Sequence, residues 1–196
     1  MTASNVERRS TGWPWAGIVG GAALVVVALV LLLPRGESTA RPELPPAPDF
    51  PLQVYQNAAS LGGEEETTFA TVLAQGKPVV LNFWAGLCGP CRAEMPELQS
   101  VFDNHADEVL LVGIDLGPFT GLGTVEQGVA LLEELGVTFP AATTDRAAVL
   151  TDYGVLGMPS TFFITSAGGV ASKWTGPLNE AKLLEKVEEL LAAEEA

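Results

Sequence analysis

The chain is predicted to fold as an α/β domain, and three features of its sequence predict it. From about residue 50 onward, strand-like apolar runs alternate with stretches of helical period. Two of those runs, Pro78–Trp84 and Val109–Asp115, are almost continuously apolar, the pattern of central strands buried on both faces. The last two, Ser160–Thr165 and Val170–Thr175, are joined by Ser166-Ala167-Gly168-Gly169, a hairpin signal, and a helical pattern closes the chain. The expected architecture is a mixed central sheet flanked by helices, with a C-terminal β-hairpin and helix.

Ahead of the domain, residues 1–15 are polar and contain the pair Arg8 and Arg9. Residues 16–33 are 18 positions without a charge. As a helix they would span about 27 Å, close to the roughly 30 Å of a bilayer's hydrocarbon core. Trp13 and Trp15 stand where an interfacial aromatic belt would lie, and Arg8 and Arg9 favour an inside N-terminus. A cleaved signal peptide ending near Ser38-Thr39-Ala40 is the competing expectation. Its apolar core is ordinarily about 7–15 residues, so the length favours an uncleaved single-pass anchor in the cell membrane. Residues 34–48 hold Pro34, Pro42, Pro45, Pro46 and Pro48 and read as a stiff tether. The domain, residues 49–196, is then expected on the extracytoplasmic side, or secreted if the leader is removed.

Within the domain, Leu52–Tyr55 is a weak strand and Gly62–Glu66 an acidic turn. Phe69, Val72 and Leu73 share one helical face closed by Gly76. Cys88 to about Asn104 reads as a helix with Met95, Leu98, Val101 and Phe102 on one side and an interruption at Pro96. A glycine-rich loop, 116–123, follows the second central strand. Thr124 and Gln127 form a capping-box pattern for a helix ending at Gly136. Thr138–Ala141 is a strand candidate, Asp145 a cap for a helix ending at Tyr153-Gly154, and Asn179 a cap for the helix carrying Leu183, Leu184, Val187, Leu190 and Leu191.

Charge and cysteine content narrow the function. Residues 1–49 carry four basic and four acidic side chains, which leaves 6 basic and 20 acidic in residues 50–196, the whole net charge of −14. Such a domain repels nucleic acid and anionic lipid. The two cysteines, Cys88 and Cys91, with one distant His105 fall short of the four ligands of a structural zinc site. A purely structural Cys88–Cys91 bridge closes so short a loop that chain entropy returns only about 2 kcal/mol. A Cys-x-x-Cys at a strand-to-helix turn instead suits thiolate chemistry, because helix N-terminal amides favour the anion.

Trp84 with Cys88-Gly89-Pro90-Cys91, Cys91-Arg92-Ala93-Glu94-Met95-Pro96-Glu97-Leu98, and Gly157-Met158-Pro159-Ser160-Thr161 opening a strand resemble the thioredoxin superfamily. The similarity is to its membrane-anchored extracytoplasmic members of the TlpA, ResA and cytochrome c maturation type, and covers roughly residues 47–192. It implies a thioredoxin fold with an extra N-terminal strand region and a helix–strand insertion between Thr124 and Ala141. By the same resemblance Cys88 is the nucleophile, Cys91 the resolving thiol, Pro159 a cis-proline facing them, and Met158 a backbone partner for an extended substrate. Trp84, Leu87, Gly89 and Pro90 complete the expected substrate-binding surface. Glu94 matches an acidic position of the subgroup and is expected to carry a proton for Cys91, since Asn82 stands where plain thioredoxin has a titratable aspartate. Leu87 stands where the family most often has Trp. No cofactor is implied beyond the redox-active Cys88–Cys91 disulfide.

The expected function is a membrane-tethered thiol–disulfide oxidoreductase that reduces disulfides in exported proteins. Apocytochrome c is the client that the resemblance suggests, and an integral-membrane thiol electron donor of the CcdA or DsbD kind the source of electrons. A disulfide-introducing oxidant and a non-catalytic peptide-binding module are the alternatives. Redox poise separates the first pair and mixed-disulfide trapping the second.

Overall fold

The structure is a computed structural model that describes residues 44–195. The expected anchor at 16–33 and the first part of the tether lie outside those residues. Among the described residues no helix is long and apolar enough to cross a membrane.

Seven strands form one sheet: β1 (Pro51–Gln56), β2 (Glu66–Thr68), β3 (Val79–Trp84), β4 (Leu110–Asp115), β5 (Ala141–Thr143), β6 (Ser160–Ile164) and β7 (Val170–Thr175). Their spatial order is β2-β1-β5-β4-β3-β6-β7. β3, β4 and β5 run parallel, while β1, β2, β6 and β7 join antiparallel at the two flanks. The helices are α1 (Phe69–Leu73), α2 (Gly89–His105), α3 (Gly117–Thr120), α4 (Val125–Leu135), α5 (Val149–Asp152) and α6 (Glu180–Glu195). This is a thioredoxin-like fold, with β1 and β2 as the added N-terminal strands and α4 with β5 as the insertion.

Every residue of β3 and β4 is buried, as continuous apolar runs require of central strands. Alternation then divides the core. Val79, Leu81 and Phe83 of β3, with Val112 and Ile114 of β4, pack on one face with Phe50, Phe69, Tyr153 and Phe162, whose rings meet at centroid distances of 5.0–6.2 Å. Val80 and Trp84 face the other way, into the cluster made by α2, α4 and α6 that also contains both cysteines. Asn82, Gly113 and Asp115 share that second face by the same period of two.

Five elements differ from expectation. Glu66–Thr68, which overlaps the expected acidic turn only at Glu66, is the edge strand β2; its three residues are too few and too polar for a strand signal. β5 starts at Ala141, not Thr138, because the Thr138 and Phe139 amides both donate to Gln99 Oε1 of α2, at 2.7 and 3.2 Å. Asp145 does not cap α5, which starts at Val149 behind Ala148 with no side-chain cap. The loop after β4 contains the single turn α3. Pro96 does not interrupt α2, which runs unbroken for 17 residues. The capping box is present as expected, with Thr124 N donating to Gln127 Oε1 at 3.0 Å and Gln127 N to Thr124 Oγ1 at 3.4 Å. Asn179 Oδ1 accepts from Lys182 N at 2.9 Å at the start of α6. The end of the proline-rich stretch lies along the hairpin: Ala47 N donates to Gly168 O and Pro45 O accepts from Val170 N, both at 2.8 Å.

Candidate active site

β3 ends at Trp84 and the chain turns through Ala85-Gly86-Leu87 into α2, whose N-cap is Cys88. Cys88 and Cys91 form a disulfide, with Cα atoms 5.2 Å apart. Cys91 N donates to Cys88 Sγ at 3.2 Å, so the first sulfur occupies the place of a capping oxygen and faces the free amides of the helix start. Gly89 and Pro90 form the exposed first turn, where proline's missing donor is not needed. Cys88 keeps 6% of its surface exposed and Cys91 none. The outer sulfur is thus the accessible one, though barely so while oxidised.

The Met158–Pro159 peptide is cis, and Pro159 is buried at the start of β6 with Met158 half-buried beside the same core cluster as the cysteines. Two large apolar side chains are exposed among the described residues, Leu87 and Leu156. The first immediately precedes Cys88, and the second lies two residues before Met158. Trp84 is a correction: it is wholly buried and presents no surface to a substrate. It is a core support beneath the cysteine loop, as expected of a large ring at the end of a central strand. Leu156 was not legible as a site residue, since an isolated leucine in a turn carries no chemical signal.

Glu94 lies one turn beyond Cys91 and is 1% exposed. Asn82 Nδ2 donates to its Oε1 at 2.8 Å and Leu178 N to its Oε2 at 3.1 Å, while Asn82 Nδ2 also reaches Thr161 Oγ1 at 3.0 Å. Burial pushes the carboxyl up to about 7, and the two donors hold it back only in part. A carboxyl that titrates near neutrality can both take and return a proton. The helix carrying it is tied to the insertion by exposed Arg92, paired with Glu134 of α4, an interaction worth little in solvent. Among the described residues no group of three or more His, Cys, Asp or Glu side chains could hold a metal ion.

A thioredoxin-like sheet with a cysteine pair at the N-cap of the helix after its central strand defines a thiol–disulfide oxidoreductase. Residues 45–173 match the AhpC/TSA family, and the chain belongs to that family. It is 31% identical over 143 residues to the thioredoxin-like protein YneN of Bacillus subtilis, covering 72% of this chain and 76% of that one. It is 32% identical over 146 residues to the thiol:disulfide interchange protein DsbE of Escherichia coli, covering 74% and 71%. The crystal structure of StoA from Bacillus subtilis has the same fold, with a TM-score of 0.56 at 23% identity over 71% of this chain and 96% of that one.

Proposed function

We propose that the chain works as a reductant of disulfides in exported proteins, held at the outer side of the membrane by residues 16–33. The observation that carries the proposal is the Cys88–Cys91 pair at the start of α2 with the buried, near-neutral Glu94 one turn below it. In the reduced state the Cys88 thiolate attacks one sulfur of a client disulfide, forming a mixed disulfide and releasing the first client thiolate. Cys91 then passes its proton to Glu94 and attacks Cys88 Sγ. The Cys88–Cys91 bond forms, the second client thiolate leaves, and two electrons have moved to the client. The cis Met158–Pro159 loop, with Leu87, Gly89 and Pro90, forms the surface on which an extended client segment lies. An apolar Leu87 and Leu156 on an acidic domain suit clients with apolar residues near the cysteine and basic residues beyond it.

Apocytochrome c is the proposed client, and a membrane thiol donor of the CcdA or DsbD kind the proposed source of electrons. Support comes from the resemblance in the cysteine and cis-proline motifs and from the oxidising character of extracytoplasmic compartments, which demands re-reduction. The full chain, reduced beforehand, is expected to reduce a protein disulfide, and Cys88→Ser to abolish the activity. Cys91→Ser should accumulate mixed disulfides through Cys88, whose identification names the client. Unimpaired turnover by Cys88→Ser would sink the proposal. Equilibration with glutathione reads the direction, because an oxidant would be fully reduced in mild glutathione buffer.

A further inference from the structure

Two carboxylates are buried among the described residues, and the mechanism above uses only Glu94. The other, Asp115, is fully buried at the end of β4, in register with Trp84 on β3. Its Oδ1 accepts from Gly117 N at 2.8 Å, holding the first turn of α3. Its Oδ2 has no hydrogen-bond partner among the described residues. α4 seals it: a Cβ on Gly128 would stand 2.2 Å from Asp115 Oδ2 and 3.3 Å from Trp84 Cη2.

The segment that Asp115 anchors is the one that grips the cysteine loop. Leu116 N donates to Trp84 O at 2.9 Å, and Leu87 N, next to Cys88, donates to Leu122 O at 2.7 Å. Gly86 lies directly on α4, where a Cβ would come within 2.7 Å of Gly128 N. Asp115 therefore joins three parts, the turn after β4, the insertion helix and the strand that leads to Cys88.

We propose that Asp115 is a positioning residue of the redox site, which ties segment 116–128 to the cysteine-bearing loop and whose negative charge opposes formation of the Cys88 thiolate. The proposal rests on the oxidoreductase function above. Reduction adds two electrons and two protons to the Cys88–Cys91 bond, and Cys88 then sheds one proton to become the nucleophile. A second negative charge, fully buried beside Trp84 on the strand that leads to Cys88, disfavours that anion.

The other groups facing Asp115 do not compensate its charge. β1 presents the Tyr55 phenol, whose ionisation burial and Asp115 itself suppress, and whose hydroxyl also has no partner among the described residues. β3 presents Trp84, β5 the Thr143 hydroxyl bonded to Asp115 O at 3.0 Å, α3 the Gly117 amide and α4 Gly128; none of these ionises. Burial pushes the Asp115 carboxyl up to about 6, so the charge is present at neutral pH and absent in mild acid.

Asp115→Asn keeps an oxygen for the Gly117 amide, removes the charge and puts an amide NH2 where the unpartnered Oδ2 stood. The full chain and this variant are equilibrated with glutathione from about pH 5 to 8. Above pH 6 the variant is expected to favour the dithiol about three- to tenfold more than wild type, and below it the two curves should converge. Superimposable curves at all pH values overturn the proposal. The wild-type carboxyl, followed by carbon-13 NMR, supplies a reading that needs no variant. By linkage its titration midpoint must be higher in the reduced chain than in the oxidised chain, and equal midpoints also overturn the proposal. Wild-type chain that exchanges no thiol with glutathione would overturn the oxidoreductase function and this proposal together. Normal exchange with an unaffected variant removes the Asp115 role alone.

Discussion

Glu94 and Asn82 show how neighbouring side chains divide a task. Asn82 cannot titrate, yet its amide reaches both Glu94 and Thr161 and so fixes where the carboxyl sits. Only ionised Glu94 can take the Cys91 proton, so the resolving step is expected to accelerate as pH rises through about 7. Glu94→Gln should lose that inflection and slow resolution on the order of 10²-fold, read by stopped-flow decay of a preformed mixed disulfide. A Gln variant that keeps the wild-type pH profile would remove Glu94 from the mechanism. The position was legible through the family resemblance, whose subgroup has an acidic residue three places after the second cysteine. Its burial was not, because a glutamate near a helix start reads equally as solvated, and only the approach of Leu178, just ahead of α6, closes the site.

Among the elements, α4 is the one that makes the cysteine loop specific to this chain. Its capping box was readable from Thr124 and Gln127, since that motif is local and needs no tertiary partner. Thr124→Ala is expected to cost about 1 kcal/mol, seen as a lower denaturation midpoint at unchanged slope. The fit of α4 onto the loop was not readable, because a glycine in a helix gives no hint of what approaches it. Gly128→Ala would drive a methyl into Asp115 Oδ2 and the Trp84 ring, both walled by buried neighbours. It should destabilise by about 1–3 kcal/mol and disturb exchange kinetics at Cys88, whereas the same change at exposed Gly89, whose Cβ would meet open space, should leave stability nearly unchanged.

For the molecule as a whole, burial of two acids reverses the usual effect of pH on stability. Glu94 at about 7 and Asp115 at about 6 both lie above their ordinary values, so the folded chain binds more protons than the unfolded one between them. Their contribution is fully present below the unfolded pKa values and is lost as pH rises through 6 and 7, by up to about 1.4 kcal/mol per pH unit for each group. The melting temperature of the oxidised chain is expected to fall between about pH 5 and 7.5, and the Glu94→Gln, Asp115→Asn double variant to flatten that fall. A wild-type curve that rises over the same range would show that neither carboxyl is penalised by burial. The sequence by itself determined the central strands, the helix that begins at the cysteines, the hairpin and the Cys-x-x-Cys motif, because these rest on apolar period, caps and short spacings along the chain; the cis form of Pro159 was implied only by the family resemblance. Tertiary structure alone decided the edge strand β2, the start of β5, the inward place of Trp84 and the convergence of Asp115, Gly128 and Gly86 on the loop that leads to Cys88. Those features depend on which distant segment arrives to satisfy or seal a group, and no local pattern encodes that partner.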